Sequence, residues 1–187
     1  PYTCFMLSLT QKRWILPSAT QAMNTSHILA RMLAERGINP DVAPELVSPS
    51  VFTDIEKATS RIHKAVEDNE GIGIFGDYDC DGVVAVAQIV RYFRRKGVTP
   101  FVRLPHRVKD GYGLHSGIVK ECIEAKISLL STADTGVTSV KEIQELKDAG
   151  IDTIVTDHHN VLDTMPPAYA IIHPALSTHP LPHPSGS

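Results

Sequence analysis

The sequence predicts an α/β fold: a parallel five-stranded sheet with helices on both faces, preceded by a small helical segment. Three observations predict it. From Gly71 onward, short apolar runs alternate with amphipathic stretches of helical spacing. Two of those stretches stop at a glycine, Gly97 and Gly150, a common end for a helix. The residues with chemistry in them fall directly after the apolar runs, where an open parallel sheet keeps its binding crevice.

The elements follow in order. Ala19 to Arg36 reads as a helix, with Ala22, Met23, Ile28, Leu29, Met32 and Leu33 near helical spacing and Gly37 as its stop. Pro40, Pro44 and Pro49 punctuate an irregular stretch, so residues 1–50 form a helical leader and 51–187 the main domain. Asp54 is placed to cap a second helix running to about Asn69, with Ile55, Ala58, Ile62, Ala65 and Val66 on its buried face. Strands are expected at Ile72–Phe75, Val98–Leu104, Ile127–Thr132, Ile151–Thr156 and Ala170–Ile172. Helices are expected between them at Val83–Lys96, Ser116–Ala125 and Ser139–Ala149. The order β-α-β-α-β-α-β is that of a parallel sheet covered on both sides. The Pro-, His- and Ser-rich tail, Pro174–Ser187, reads as a loop cut short, and Pro1 is no natural start, so the chain is expected to be a piece of something longer.

Composition narrows the function. The 187 residues are 42% hydrophobic and 21% charged, the profile of a globular domain. No apolar run approaches the roughly 20 residues of a membrane-spanning helix, and no secretion signal opens the chain. With 18 basic and 21 acidic residues the net charge is −3, which excludes nucleic-acid binding driven by bulk positive charge but allows a local basic patch. Cys4, Cys80 and Cys122 are widely spaced and odd in number, which points to reduced thiols and a cytoplasmic protein.

The strand ends carry the chemistry. Asp77, Asp79 and Asp81 follow the first strand, Asp134 the third, and Asp157, His158 and His159 the fourth. Five carboxylates at one sheet edge repel one another and raise one another's pKa, a conflict that a divalent cation removes. Carboxylates with imidazoles and no thiolate cluster suit Mn²⁺, then Mg²⁺ or Zn²⁺. Two such ions can share a bridging carboxylate and activate a water. Three competing readings fare worse. Asp77-Tyr78-Asp79-Cys80-Asp81-Gly82 opens like a calcium loop, but the twelfth position is Gln88 instead of Glu, and the flanks are strand and helix. An acidic receiver-type pocket has no need of paired histidines. Helix capping by Asp157 with two surface imidazoles leaves the other acidic strand ends unexplained.

The stretches GDYDCDG, DTGVTS and VTDHHN, in this order at these strand ends, resemble the DHH phosphoesterase family, in its RecJ-like branch of single-strand-specific DNA exonucleases. LPHRVKDGYGLH, Leu104 to His115, matches that branch too, as do Pro167, Ala168 and Ile171-Ile172-His173-Pro174. The similarity runs from about Val51 to Ser187, with the Trp14 segment similar to the family's leader. The resemblance implies Asp79 and Asp81 as metal ligands, Asp134 bridging two ions, and His158 completing a metal sphere. It places His159 near the scissile phosphate, Asp157 as the group orienting an imidazole, and Asp77 on a metal, on a water or one contact removed. It implies two Mn²⁺ ions, with Mg²⁺ possible, and hydrolysis of single-stranded DNA from the five-prime end in repair and recombination. The alternatives are a DHH phosphodiesterase acting on short oligonucleotides or cyclic dinucleotides, and a non-catalytic DHH-like scaffold. Phe75 stands where many DHH enzymes carry a histidine, which weighs against the small-nucleotide alternative. The family's fourth motif and second domain are expected downstream of Ser187, so the chain is expected to be a weak nuclease.

Arg103, His106, Arg107 and Lys109 gather after the second strand, where cations hold backbone phosphates and Tyr112 can stack on a base. Arg91, Arg94, Arg95 and Lys96 read as solvated or as favourable to a helix C-terminus. His27, His63, His173, His179 and His183 read as non-catalytic, and Cys80, in the family's usual alanine place, as a small packed side chain turned from the metals.

Overall fold

The computed structural model describes residues 25–35 and 47–178. The expectations for Cys4, Trp14, residues 19–24, Gly37, Pro40, Pro44, His179 and His183 lie outside the described residues, as does the side chain of His27. The chain divides into two units, 1–46 and 47–187, each described by itself. In the first, α1 (Thr25–Glu35) forms within the span predicted for it. Its Ile28, Leu29 and Met32 are exposed.

The second unit holds the sheet. β1 (Ile72–Gly76), β2 (Phe101–Arg103), β3 (Leu129–Ala133), β4 (Asp152–Thr156) and β5 (Ala170–Ile172) lie in the order β2-β1-β3-β4-β5. Every neighbouring pair is parallel, in register Gly73↔Phe101, Ile74↔Ser131, Thr132↔Val155 and Thr156↔Ile172. Apolar residues alternate across it. Ile72, Ile74, Leu129 and Ile154 pack under α2 (Ile55–Glu67) and α3 (Cys80–Arg95), through Ala58, Ala65, Val86 and Phe93. Phe75, Leu130 and Val155 face α4 (Ser116–Glu124) and α5 (Val140–Asp148), through Ile118, Cys122, Ile143 and Leu146. Residues buried on both faces explain why the strands read as continuous apolar runs instead of alternating ones.

Most boundaries fall within two residues of expectation; two elements and one cap depart further, each for a local reason. α3 starts at Cys80, not Val83, because Asp79 caps it: Oδ1 accepts from the Gly82 N–H at 3.0 Å. β2 is three residues, not seven, because Val98 N–H bonds back to Phe93 O in the turn that ends α3, and Pro100 has no N–H to pair. Asp54 stands at the N-terminus of α2, but its carboxylate does not cap it; Oδ2 instead accepts the Ile171 N–H at 2.9 Å and closes the outer edge of β5. Arg61 ties α2 to the bottom of the sheet, bonding Asp152 at 2.6 Å and Glu70 at 2.7 Å.

Candidate metal centre

The chain reverses direction across the sheet between β1 and β3, so the crevice outside their carboxyl ends is the switch point of the fold. The loops after β1, β3 and β4 all open there. Backbone bonds prolong the ladder past the strands: Asp77 N–H donates to Ala133 O at 3.3 Å, Asp134 N–H to Thr156 O at 2.9 Å, and Asp157 N–H to Ile172 O at 3.2 Å. Each loop therefore leaves the sheet at a fixed height with an aspartate as its first residue.

The β1 loop turns into α3 at close quarters. A Cβ on Gly82 would lie 2.6–2.8 Å from backbone atoms of Asp77, so only glycine lets α3 start there. That approach sets Asp77, Asp79 and Asp81 around the helix start. The β3 loop places Asp134 at φ 61°, a left-handed conformation that aspartate tolerates better than most side chains. The β4 loop is knotted by Asp157. Its Oδ1 accepts from the N–H groups of His158 at 2.7 Å and His159 at 3.1 Å, while Oδ2 accepts from Val137 N–H at 2.9 Å. One carboxylate thus ties the histidine loop to the loop after β3.

The side chains converge. One ligand atom each from Asp77, Asp79 and Asp134 lie within 4.8 Å of one another, and so do one each from Asp134, His158 and His159. His158 Nε2 is 2.8 Å from Asp134 Oδ1 and 3.7 Å from Asp81 Oδ2. Asp134 is 1% exposed, and its Oδ1 is buried without a hydrogen-bond partner among the described residues despite that short approach. Two ligand-type atoms facing each other without hydrogen-bond geometry suit a shared cation better than a direct bond. Burial, and then the charge of Asp81, push the Asp134 carboxyl up to about 6. Burial also raises Asp77. Asp157 goes the other way: burial opposes its charge, but the donors from Val137, His159 and His158 together hold it below the usual carboxylate range. Being ionised, it can only accept, so the proton between it and His159 Nδ1, 2.8 Å away, sits on the imidazole. Burial opposes the charge on that ring, yet Asp157 raises its pKa.

The second group of expected residues divides. Tyr112 lies beside the centre, its hydroxyl 3.3 Å from His159 Nδ1 and its ring edge-on to that imidazole. Arg107 stacks its guanidinium 5.4 Å from the centre of the Tyr78 ring, which meets Tyr112 edge-on. Arg103 is engaged within the fold: Glu121 at 2.9 Å and Asp110 at 3.0 Å hold its guanidinium, which braces the loop. His106 is exposed, and its Nδ1 accepts the N–H groups of Val108 and Lys109, which also makes it a turn-former. Cys80 is exposed instead of packed, and it contributes to neither ligand group.

Sequence reasoning missed His173. It is 3% exposed, its Nδ1 accepts Ala175 N–H at 3.0 Å, and its Nε2 donates to His159 O at 2.8 Å, which pins the histidine loop from below. The sequence shows His173 inside the family-like stretch Ile171-Ile172-His173-Pro174, but not the contact it makes.

Such a domain belongs to the doubly wound α/β proteins, with carboxylates and imidazoles gathered at the switch point in groups that could hold a metal ion. More particularly, the chain belongs to the DHH family: the model of that family's N-terminal domain matches residues 71–186. Its curated relatives include the single-stranded-DNA-specific exonuclease RecJ of Haemophilus influenzae, 38% identical over 133 residues, 71% of this chain and 23% of that protein. The enzyme of the same name from Bacillus subtilis is 30% identical over 166 residues, 84% of this chain and 21% of that protein. The chain therefore spans only 21–23% of the length of these relatives. Among solved structures, an exonuclease RecJ bound to manganese superposes with a TM-score of 0.69 at 33% identity, covering 75% of this chain and 36% of that one. RecJ from Thermus thermophilus in complex with Mn²⁺ superposes with a TM-score of 0.66 at 30% identity, covering 82% of this chain and 22% of that one. No helix among the described residues is long and apolar enough to cross a membrane.

Proposed function

We propose that this domain is the metal-binding half of a phosphodiesterase that hydrolyses single-stranded DNA from the five-prime end, in cytoplasmic DNA repair and recombination. The observation that carries the reading is the buried Asp134 oxygen, without a hydrogen-bond partner among the described residues, facing His158 Nε2 at 2.8 Å inside a ring of aspartates. The donor set is oxygen and imidazole nitrogen, which fits Mn²⁺, with Mg²⁺ as the harder substitute. Asp79, Asp81, Asp134 and His158 would hold one or two such ions, with Asp134 shared and Asp77 in support. Bound there, divalent cations supply Lewis acidity toward a phosphoryl oxygen and make water acidic enough to attack at neutral pH.

The chain's own groups do the rest. Asp157 holds the His159 ring by Nδ1 and favours its charged form, which places a cation and a donor at Nε2 for an anionic phosphate. Tyr112 and Arg107 offer a ring and a guanidinium beside it for a base and a neighbouring phosphate. The hydrogen bonds of Asp157 fix that geometry before substrate arrives.

Asp134→Asn tests the reading with little risk to the fold, because asparagine also tolerates the left-handed backbone. Titration calorimetry should show Mn²⁺ binding to the wild type and none, or at least hundredfold weaker binding, to the variant. Any Mn²⁺-dependent release of nucleotides from a single strand should vanish with it. Wild-type Mn²⁺ affinity in the asparagine variant would refute the site.

A further inference from the structure

The outer face of α3 carries a basic cluster that the metal centre does not use. Arg91, Arg94, Arg95 and Lys96 are all exposed, and among the described residues none of them has a carboxylate within ion-pairing distance. The arginines beneath the sheet and behind the 104–115 loop, Arg61 and Arg103, are each paired twice. Arg91 and Arg95 stand four residues apart on one helix face, an arrangement that repels and weakens the helix. With Gln88 and Tyr92 they line a groove of about 270 Å³. Lys96 Nζ lies 5.9 Å from the centre of the exposed Tyr92 ring. Four cations on a chain of net charge −3 make a local field opposite to that of the whole.

We infer that this groove is a second contact for the single strand, on its sugar-phosphate backbone outside the cleavage site. The inference rests on the nuclease reading above. Two features favour a nucleic acid over an acidic protein segment. The guanidinium groups interleave with an exposed aromatic ring and an amide, the combination that holds phosphates and stacks a base. The groove also lies on the same helix whose start carries aspartates of the metal centre. α3 begins against Asp79, and at 1.5 Å per residue Arg91 and Arg95 lie roughly 17–23 Å along its axis from that end. A stacked strand at about 3.4 Å per nucleotide covers that distance in five to seven nucleotides. A strand of about 15 nucleotides can reach both places, and a trinucleotide cannot.

The test compares the 187-residue chain with its Arg91→Gln/Arg95→Gln variant, glutamine being nearly as good a helix former. A second variant, Lys120→Gln/Lys147→Gln, removes equal charge from the other helical layer. Affinity for a labelled oligothymidylate of about 15 nucleotides is measured by fluorescence anisotropy across salt concentrations, without divalent cation so that no strand is cut. Two lost phosphate contacts should lower the salt slope by about 1.4 and weaken binding about 25-fold at 0.1 M relative to 1 M salt. The lysine variant should match the wild type. Equal slopes in all three proteins, or an equal loss in the lysine variant, would overturn the proposal. So would wild-type binding of a polyglutamate peptide with no binding of the oligonucleotide, which would assign the groove to an acidic protein. Mn²⁺ calorimetry on the same proteins keeps the two readings apart. Loss of Mn²⁺ binding in the wild type would refute the metal centre, whereas normal Mn²⁺ binding with an unchanged salt slope would refute the groove alone.

Discussion

At the scale of single residues, the site is built from groups that hold other groups. Asp157 commits both oxygens to three backbone N–H groups and one imidazole. Its low pKa is the sum of those donors set against burial. His173 acts from beneath, through the carbonyl of His159. Removing it leaves that carbonyl short of a buried donor and loosens the loop that carries His158. His173→Ala should weaken Mn²⁺ binding about tenfold to hundredfold, in the manner of groups that orient metal ligands without touching the metal. His173→Gln, which keeps a donor of similar reach, should recover most of it. Calorimetry on the two variants decides, and an alanine variant with unaltered Mn²⁺ affinity would strip His173 of this role. The family-like stretch around His173 does not reveal this role, because the contact spans 14 residues and closes only in three dimensions. The pairing of Arg103 is hidden for the same reason: Glu121, its partner, lies 18 residues away on α4.

At the scale of elements, close packing of α3 on the β1 loop decides where three of the aspartates stand. Gly82 is the contact. Its missing Cβ would meet the O, N and C of Asp77 at 2.6–2.8 Å, and backbone cannot swing aside as a side chain can. Gly82→Ala should therefore cost about 1–3 kcal/mol in urea unfolding. It should also weaken Mn²⁺ binding, because Asp77 and Asp79 move with the helix start. A stable variant with intact Mn²⁺ binding would show that the loop relaxes more easily than its backbone contacts imply. The elements themselves were largely legible in the sequence. β1 and β3 are buried throughout and β4 along its middle three residues, so their apolar runs stand out, and the aspartates at their ends follow from the parallel order. The start of α3 was not legible, since a glycine three residues into a helix reads as a breaker when its purpose is to admit a neighbouring strand. Nor was the length of β2, an edge strand whose alternate residues face water and whose first hydrogen bond Pro100 removes.

At the scale of the whole molecule, the metal centre is a store of electrostatic conflict that ought to govern stability against pH. Without a cation, Asp134 is raised to about 6, and Asp77 and His159 are raised as well. A group whose pKa is higher in the fold than in the unfolded chain takes up protons on folding. Its favourable contribution is complete below the unfolded pKa and is lost as pH rises through the folded one. For Asp134 that loss spans about pH 4 to 6, and for His159 it lies above about pH 6.5. Asp157, whose pKa is lowered, has the opposite sign, but its contribution is lost only as pH falls below about 4, outside the range of interest. The metal-free chain should thus melt at lower temperature as pH rises from 5 to 8. Mn²⁺ should reverse the trend, because it binds only the deprotonated carboxylates and neutral imidazole that rising pH supplies. At a hundred times its dissociation constant the ion adds about 2.7 kcal/mol, which for a domain of this size raises the melting point by roughly 5–11 °C. Thermal melts at pH 5, 6, 7 and 8, with chelator and with Mn²⁺, measure both slopes, and Asp134→Asn should flatten the chelator curve between pH 5 and 6. Parallel curves with and without Mn²⁺, or an unaltered slope in the asparagine variant, would mean that the fold carries its cluster of aspartates without strain. The argument for a cation would then lose its physical ground, whatever the sequence resembles.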